Sequence, residues 1–417
     1  MLVKDESSRL GLPSFKALGA SWAVHQLLVN GAGAAALPGP HGLPALRALA
    51  AARPGLVLVT ATDGNHGRAV ARMARLIGAA ARVFVPAAVT AQAAAGIAAE
   101  GAEVVTVPCD YDEAVAAAAR WARERPGAAL LQDTSWPGYE QVPGWIAEGY
   151  ATLFAELDEQ LRGAGPPDLL VVPVGVGSLA QAAVAHYRGS RRTGTALLAV
   201  EPDTAACALA SLQAGRPVTV PAGNTVMAGL NCGTVSALAW LYLAGGLDAA
   251  VAVTDQQAGQ AVAELAAAGI SAGPSGAASL AGARAAVTGP GSAERRAELK
   301  LGPAATVVLL CTEAAPPPCY RTGRPSKFPA ATPPCPGARR ALFACPANRD
   351  ISWRQHFPAG GGRVWQRDPT GAPATPTAWP SLTSYASTMR SGGSAWMSSR
   401  PGWTRPMPRS RYATSHW

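Results

Sequence analysis

The first 315 residues contain little that could build a metal centre or a disulfide framework. They hold four cysteines, Cys109, Cys207, Cys232 and Cys311, and none belongs to a Cys-x-x-Cys pair. That spacing excludes the common zinc sites and a disulfide scaffold, so no metal is expected and a reducing, cytoplasmic setting fits. No run reaches the roughly 18 unbroken apolar residues of a membrane span. The start lacks the basic and apolar regions of a signal peptide, so none is expected.

Acidic residues nearly vanish beyond residue 315. Residues 316–417 carry 14 Lys and Arg against two acidic residues, with no Glu at all. Residues 1–315 hold 21 basic and 24 acidic residues, a net charge of −3, although the whole chain is +9. The basic balance therefore belongs to the tail, and global charge gives no ground for a nucleic-acid partner. The tail also holds 17 of the 36 prolines and six of the 11 tryptophans, without helical or strand periodicity. Such composition is expected to be disordered. Its aromatic content is unusual for disorder, and a shifted reading frame of a GC-rich gene would produce the same text.

The remainder is rich in Ala, Gly, Val and Leu, the profile of a soluble α/β enzyme. Short apolar strands are expected at 55–62, 81–86, 102–108, 129–134, 168–173, 196–202 and 304–313, with another ending near residue 7. Helical spacing runs over 14–29, 66–78, 90–101, 110–127, 145–165 and 255–270, with Ser14 a candidate N-cap. This βαβ alternation implies parallel sheets with right-handed crossovers. Ligands of such sheets bind where strands hand over to helices.

Chemistry-bearing residues fall at those points. "GLPSFKALGAS" (11–21) holds one charge, Lys16, with no carboxylate in its own segment. It reads either as a lysine whose stem lies along a helix and whose head meets water, or as a Schiff-base lysine with its pKa lowered by an apolar pocket. "VGVGS" (174–178) follows a strand and opens a helix, where backbone N–H groups can face a phosphate; a plain turn explains it as well. "TDGNHG" (62–67) offers Asp63 and Asn65, with Asp63 alternatively a helix cap. "LLQDTSW" (130–136) puts Asp133 at a strand end, "SAGPSGAA" (271–278) puts Ser275 and Gly276 before a helix, and "LLCTE" (309–313) ends a strand with Cys311. One lysine, one glycine loop and polar strand ends suit an aldehyde cofactor with a phosphate handle, pyridoxal 5′-phosphate.

Five stretches in order, "VKDESSRLGLPSFKALGAS", "TATDGNHGRAVA", "LLQDTSWPGYEQVPGWIAEGY", "VEPDTAAC" and "MAGLNCGTVSALAW", resemble the fold-type II pyridoxal-phosphate enzymes, the tryptophan-synthase-β-like group. Within it the likeness is to the diaminopropionate ammonia-lyases, from about residue 2 to about 315. The resemblance implies an α/β fold of two three-layer αβα domains with open, mostly parallel sheets. The larger domain would comprise 1–29 and 150–315, the smaller 30–149, and 316–417 the tail. It makes Lys16 the Schiff-base lysine and Asn65 the contact of the cofactor's phenolic oxygen. Gly175, Val176, Gly177 and Ser178 become the phosphate loop, and Cys311 a neutral partner of the pyridine nitrogen. Asp63 and Asp133 become acid/base groups, one for each substrate enantiomer, and Asp63, Ser275 and Gly276 contact substrate.

The implied reaction is elimination from 2,3-diaminopropionate, a small amino acid, to pyruvate and ammonia by a homodimer. Alternatives are a serine or threonine dehydratase or racemase of the same fold, and an inactive remnant. Only 15 residues precede Lys16, where the family carries a further strand and helix, and the family's "STEG"-like turn reads "CTEAA". A fold truncated at both ends is expected.

Overall fold

The computed structural model describes residues 1–31, 42–108, 110–189 and 194–315, with two short tail segments, Trp353–His356 and Arg363–Arg367. The rest of the tail, on which the expectation of disorder or a shifted frame falls, lies outside the described residues.

Two sheets form. The smaller has four parallel strands: β2 (Val57–Ala61), β3 (Ala80–Pro86), β4 (Glu103–Val107) and β5 (Ala128–Leu130), in the order β4-β3-β2-β5. The larger takes β1 (Leu2–Asp5), β6 (Leu169–Pro173), β7 (Ala196–Pro202), β8 (Ala249–Val253) and β9 (Val307–Cys311), in the order β1-β9-β6-β7-β8, all parallel. β6 and β7 are buried along their whole length, which is why they read as unbroken apolar runs. Beyond β8 stand β10 (Trp353–His356) and β11 (Arg363–Arg367), an antiparallel pair whose β11 runs parallel to β8. These two segments depart from the expectation of no strand in the tail.

Helices cover the sheets. Before the smaller sheet closes come α1 (Lys16–Asn30), α2 (Leu43–Ala51), α3 (Asn65–Ile77), α4 (Ala91–Ala98) and α5 (Tyr111–Arg123). The rest are α6 (Gln141–Gln160), α7 (Ser178–Gly189), α8 (Cys207–Ala214), α9 (Ala237–Gly246), α10 (Asp255–Ala267), α11 (Pro274–Val287) and α12 (Ser292–Glu298). Among the described residues no helix is long and apolar enough to cross a membrane. The two-sheet α/β architecture is the expected fold class.

Three local readings change. β8 was not foreseen, because Ala-Ala-Val-Ala-Val holds only two residues with strong strand preference. β5 ends at Leu130, so Asp133 lies beyond the strand in the loop that follows. Ser14 is not the N-cap of α1: Phe15 holds that position, and the Ser14 hydroxyl accepts the Lys16 N–H at 3.3 Å. Ser14 is drawn into an extended bridge with Glu313, which fixes where the helix can start.

The entry to α1 is anchored by charge. Lys4 and Arg9 both engage Glu156 of α6, and Arg9 forks onto the buried carboxylate of Glu6. α1 then crosses α6 closely through glycine. A Cβ on Gly149 would stand 2.5 Å from the Leu18 carbonyl oxygen and 2.9 Å from the Gly19 Cα, both backbone atoms that cannot swing aside. Gly149→Ala is therefore expected to lower unfolding stability by about 1–3 kcal/mol through overpacking. Urea denaturation followed by circular dichroism measures this, and an unchanged midpoint contradicts the packing argument.

Candidate active site

Lys16 opens α1 and extends its amine to Asp133, with Nζ 2.5 Å from Oδ2. The carboxylate missing from its own segment is thus supplied 117 residues further on. The Lys16 side chain keeps 19% exposure and that of Asp133 only 5%, so the pair is largely withdrawn from water. Nζ also lies 5.3 Å from the Phe15 ring centroid and 5.9 Å from that of Tyr150, a distance at which aromatic faces attract a cation. Burial disfavours the ammonium, but the charge and hydrogen bond of Asp133 outweigh it and hold Lys16 above its ordinary pKa. The expected lowering by an apolar pocket does not hold while Asp133 is ionised.

Asp133 is set by the loop after β5. Next to it, Gln132 accepts from the Ala61 N–H at 2.9 Å and the Thr60 hydroxyl at 3.0 Å, and its amide donates to the Tyr111 hydroxyl at 2.9 Å. These bonds fasten the end of β5 to the end of β2. Burial pushes the Asp133 carboxyl up, but the positive charges of His66, in the acid range where it is protonated, and of Lys16, with the Lys16 hydrogen bond, outweigh that and bring it down to about 2.

His66 and Asn65 begin α3. His66 Nε2 lies 2.8 Å from the Leu131 carbonyl, so Nε2 carries the proton and donates. Its Nδ1 is buried without a hydrogen bond, 3.8 Å from Asp133 Oδ2, and burial lowers its pKa, which keeps the ring neutral. The N-cap position of α3 falls on Gly64 rather than Asp63, and Thr62 supplies the side-chain acceptor for the first turn. The Thr62 hydroxyl accepts the N–H groups of Gly64 at 3.0 Å and Gly67 at 3.1 Å. A Cβ on Gly67 would lie 2.3 Å from Thr62 Cγ2, so only glycine admits this cap. Asp63 is left half-buried, its carboxyl raised to about 7 by burial and then by the charge of Asp133. Two carboxyls near one lysine are thereby pushed to opposite ends of the acid scale, the pattern of an acid/base pair.

The Gly175–Ser178 turn follows β6 and opens α7. Gly177 has φ +97°, a conformation that favours glycine, and a Cβ on Gly175 would approach the Gly229 carbonyl oxygen to 3.0 Å and Cys232 Sγ to 3.2 Å. The Ser178 hydroxyl donates to the Asp133 carbonyl at 2.6 Å, which leaves backbone N–H groups as this turn's donors toward an anion. Cys311 ends β9 buried, its Sγ 3.6 Å from the Glu313 carbonyl, and burial pushes its thiol up to about 12. Cys311 is therefore a neutral thiol.

Ser275 and Gly276 lie one step behind this surface. The Ser275 hydroxyl accepts the Gly229 N–H at 3.2 Å, its own N–H donates to Glu313 Oε1 at 3.2 Å, and Gly276 packs on the Glu313 backbone. Sequence reading passed over Glu313, His66 and Gln132. His66 had a signal in the Gly-Asn-His run, whereas Glu313 and Gln132 acquire partners only through the fold.

A lysine amine, a glycine turn at a helix start and a neutral thiol at a strand end offer the chemistry that a phosphorylated aldehyde cofactor would use, on a two-sheet α/β fold. The profile of the family described as "Pyridoxal-phosphate dependent enzyme" matches residues 1–313, and the chain belongs to that family. It is 38% identical over 251 residues to the diaminopropionate ammonia-lyase of Salmonella typhimurium, covering 57% of this chain and 60% of the relative. It is 39% identical over 166 residues to the biosynthetic L-threonine dehydratase of Mycobacterium leprae, covering 39% of this chain and 36% of the relative. Among solved structures it resembles Escherichia coli diaminopropionate ammonia-lyase in complex with an aminoacrylate-PLP azomethine reaction intermediate. That match has a TM-score of 0.65 and 31% identity, covering 75% of this chain and 79% of the other. The match to the Salmonella relative thus spans about three-fifths of its length.

The residues fit the cofactor. A Cβ at Gly175 or Gly177 would be crowded, Gly177 has a φ that favours glycine, Lys16 remains partly exposed, and the buried Nδ1 of His66 lies 3.8 Å from Asp133 Oδ2.

The Asp63 shift has a measurable sign. Its folded pKa of about 7 exceeds the ordinary 3.8, so between those values the folded chain holds a proton that the unfolded chain has released. Stability from this group is complete below the lower value and falls as pH rises through the window. Asp63→Asn cannot titrate and is expected to gain stability relative to the parent across that window. Denaturant midpoints of both proteins at a series of pH values test this, and parallel pH profiles contradict it.

Proposed function

We propose that the chain catalyses elimination of ammonia from 2,3-diaminopropionate, giving pyruvate and a second ammonia after hydrolysis. The observation carrying this reading is the placement of two carboxyls, Asp133 near pKa 2 and Asp63 near 7, around the single amine of Lys16. The diaminopropionate ammonia-lyases named above support the substrate class.

Pyridoxal phosphate, when bound, supplies an electron sink for the pair released as the substrate's Cα–H bond breaks. In this reading Lys16 carries the cofactor's aldehyde through its Nζ. Asn65 would address the phenolic oxygen, Cys311 the ring nitrogen, and Gly175, Val176, Gly177 and the Ser178 N–H would hold the phosphate. Once Nζ is no longer an ammonium, Asp133 loses one of the charges that depress its pKa and becomes a stronger base. One of Asp133 and Asp63 removes the Cα proton, according to the hand of the substrate. The second substrate amine, an ammonium at neutral pH, is attracted by the same carboxylates. Asp63, with a pKa near neutrality, is the group able to return protons at the leaving nitrogen. Ser275 and Gly276 enter this reading through Glu313, which they hold.

The division into 1–29 with 150–315 against 30–149 is part of the proposal, as are a cytoplasmic setting and a homodimer. Cys207, Cys232 and Cys311 are free thiols, which agrees with a reducing setting.

The dehydratase relative favours a second reading, in which serine or threonine is the substrate. Purified protein with pyridoxal phosphate is expected to form pyruvate from diaminopropionate and not to consume serine or threonine; the reverse pattern establishes the second reading. Lys16→Ala is expected to abolish turnover. Asp63→Asn and Asp133→Asn are expected to lose opposite enantiomers by factors of about 100 or more, the scale of a general-base contribution. Equal losses on both enantiomers refute the division of labour.

A further inference from the structure

Glu313 has no catalytic task in the reading above, yet it is among the most constrained carboxylates of the fold. Oε2 accepts a hydrogen bond from Asn65 Nδ2 at 2.7 Å, and Oε1 accepts the Ser275 N–H at 3.2 Å. Asn65 belongs to the helix that follows β2, and Glu313 to the segment that leaves β9, so the first bond joins the layers of the two sheets. Glu313 is fixed from behind as well. The Gly273 N–H donates to its carbonyl at 3.0 Å, while Thr312 and Ala314 on either side pair with Phe15 and Pro13 in the approach to Lys16. Glycines keep the space open: a Cβ on Gly276 would lie 2.7 Å from the Glu313 carbonyl oxygen, and one on Gly273 3.0 Å from Oε1.

A primary amide can turn either its oxygen or its nitrogen to a neighbour. A carboxylate with both oxygens accepting admits only the orientation that presents nitrogen. Glu313 therefore selects the face of Asn65 turned to the site. We propose that Glu313 is a positioning residue that sets the Asn65 amide for the cofactor's phenolic oxygen, so that one carboxylate on the larger sheet tunes a ring contact made from the smaller. This rests on the assignment of Asn65 made above. Burial raises the Glu313 pKa against the bonds from Ser275 and Asn65, which makes those two donors the reason it can remain an acceptor.

The test uses Glu313→Ala, Glu313→Gln, Asn65→Ala and the double variant Glu313→Ala/Asn65→Ala. Three quantities are read: the dissociation constant for pyridoxal phosphate, the absorption spectrum of the bound cofactor, and the apoprotein's thermal midpoint. Glu313→Ala is expected to weaken cofactor binding roughly tenfold, the scale of one charge-assisted hydrogen bond. It should shift the balance of the absorption bands in the same direction as Asn65→Ala. The double variant should be no worse than Asn65→Ala alone, because both changes remove one arrangement. Glu313→Gln preserves shape but cannot accept from both donors, so it should shift the spectrum with a near-parental midpoint. That signature decides the matter even if the alanine variant fails to fold. Spectra and affinity unchanged in both Glu313 variants, with Asn65→Ala altering them, overturn the positioning role and leave the Asn65 assignment standing. An additive double variant also overturns it. No effect of Asn65→Ala overturns the assignment and the proposal together.

Discussion

The buried contact between Lys16 and Asp133 is the constraint around which the site is arranged. Neither charge can remain withdrawn from water without the other, because an unpaired buried charge costs several kcal/mol. Each is therefore delivered with supports. Lys16 arrives on a helix whose start is fixed by the Ser14–Glu313 bridge and whose flank is clasped to α6 by the Lys4, Arg9 and Glu156 network. Asp133 arrives on a loop tied to β2 through Gln132 and to α7 through Ser178. The pair joins α1 to the loop after β5, and burial together with the charge of Asp133, opposed by that of Lys16, drives the neighbouring Asp63 toward its neutral form.

Much of this was legible in the sequence. Strands β2, β3, β4, β6, β7 and β9 carry apolar runs bounded by glycine or proline, and the motif residues fall at strand ends as open α/β sheets require. Lys16, Asp63, Asn65, Asp133 and the Gly175–Ser178 turn each admit a plain reading alone, and their combination and the family resemblance single them out. β8 escaped because alanine carries no strand signal, and only burial between β7 and the helices makes it a strand. Glu313 escaped for a different reason: its meaning lies in Asn65, 248 residues away, and no local pattern encodes that distance. The cap of α3 escaped because Thr62 acts from before the glycine, leaving the more obvious Asp63 unspent.

Small residues do as much here as charged ones. Gly149, Gly175 and Gly276 each stand where a methyl group would strike or crowd backbone, between helices, at the anion turn and behind Glu313. Close backbone approach brings α1 and α6 together and seats Glu313 against α11. It also means that conservative substitutions at these glycines act on the site through geometry alone.

The placement of β1 bears on how such a chain is made. Among the described residues β1 has a single neighbour in its sheet, β9, and the segment leading to Lys16 leans on residues 312–314. A ribosome releases Lys16 long before it releases those residues, so the segment around Lys16 waits for partners made much later. The smaller sheet draws its strands from residues 57–130 and can assemble meanwhile. Closure of the long loop comes afterwards, and the lysine is locked in place only once residues 312–314 have been made.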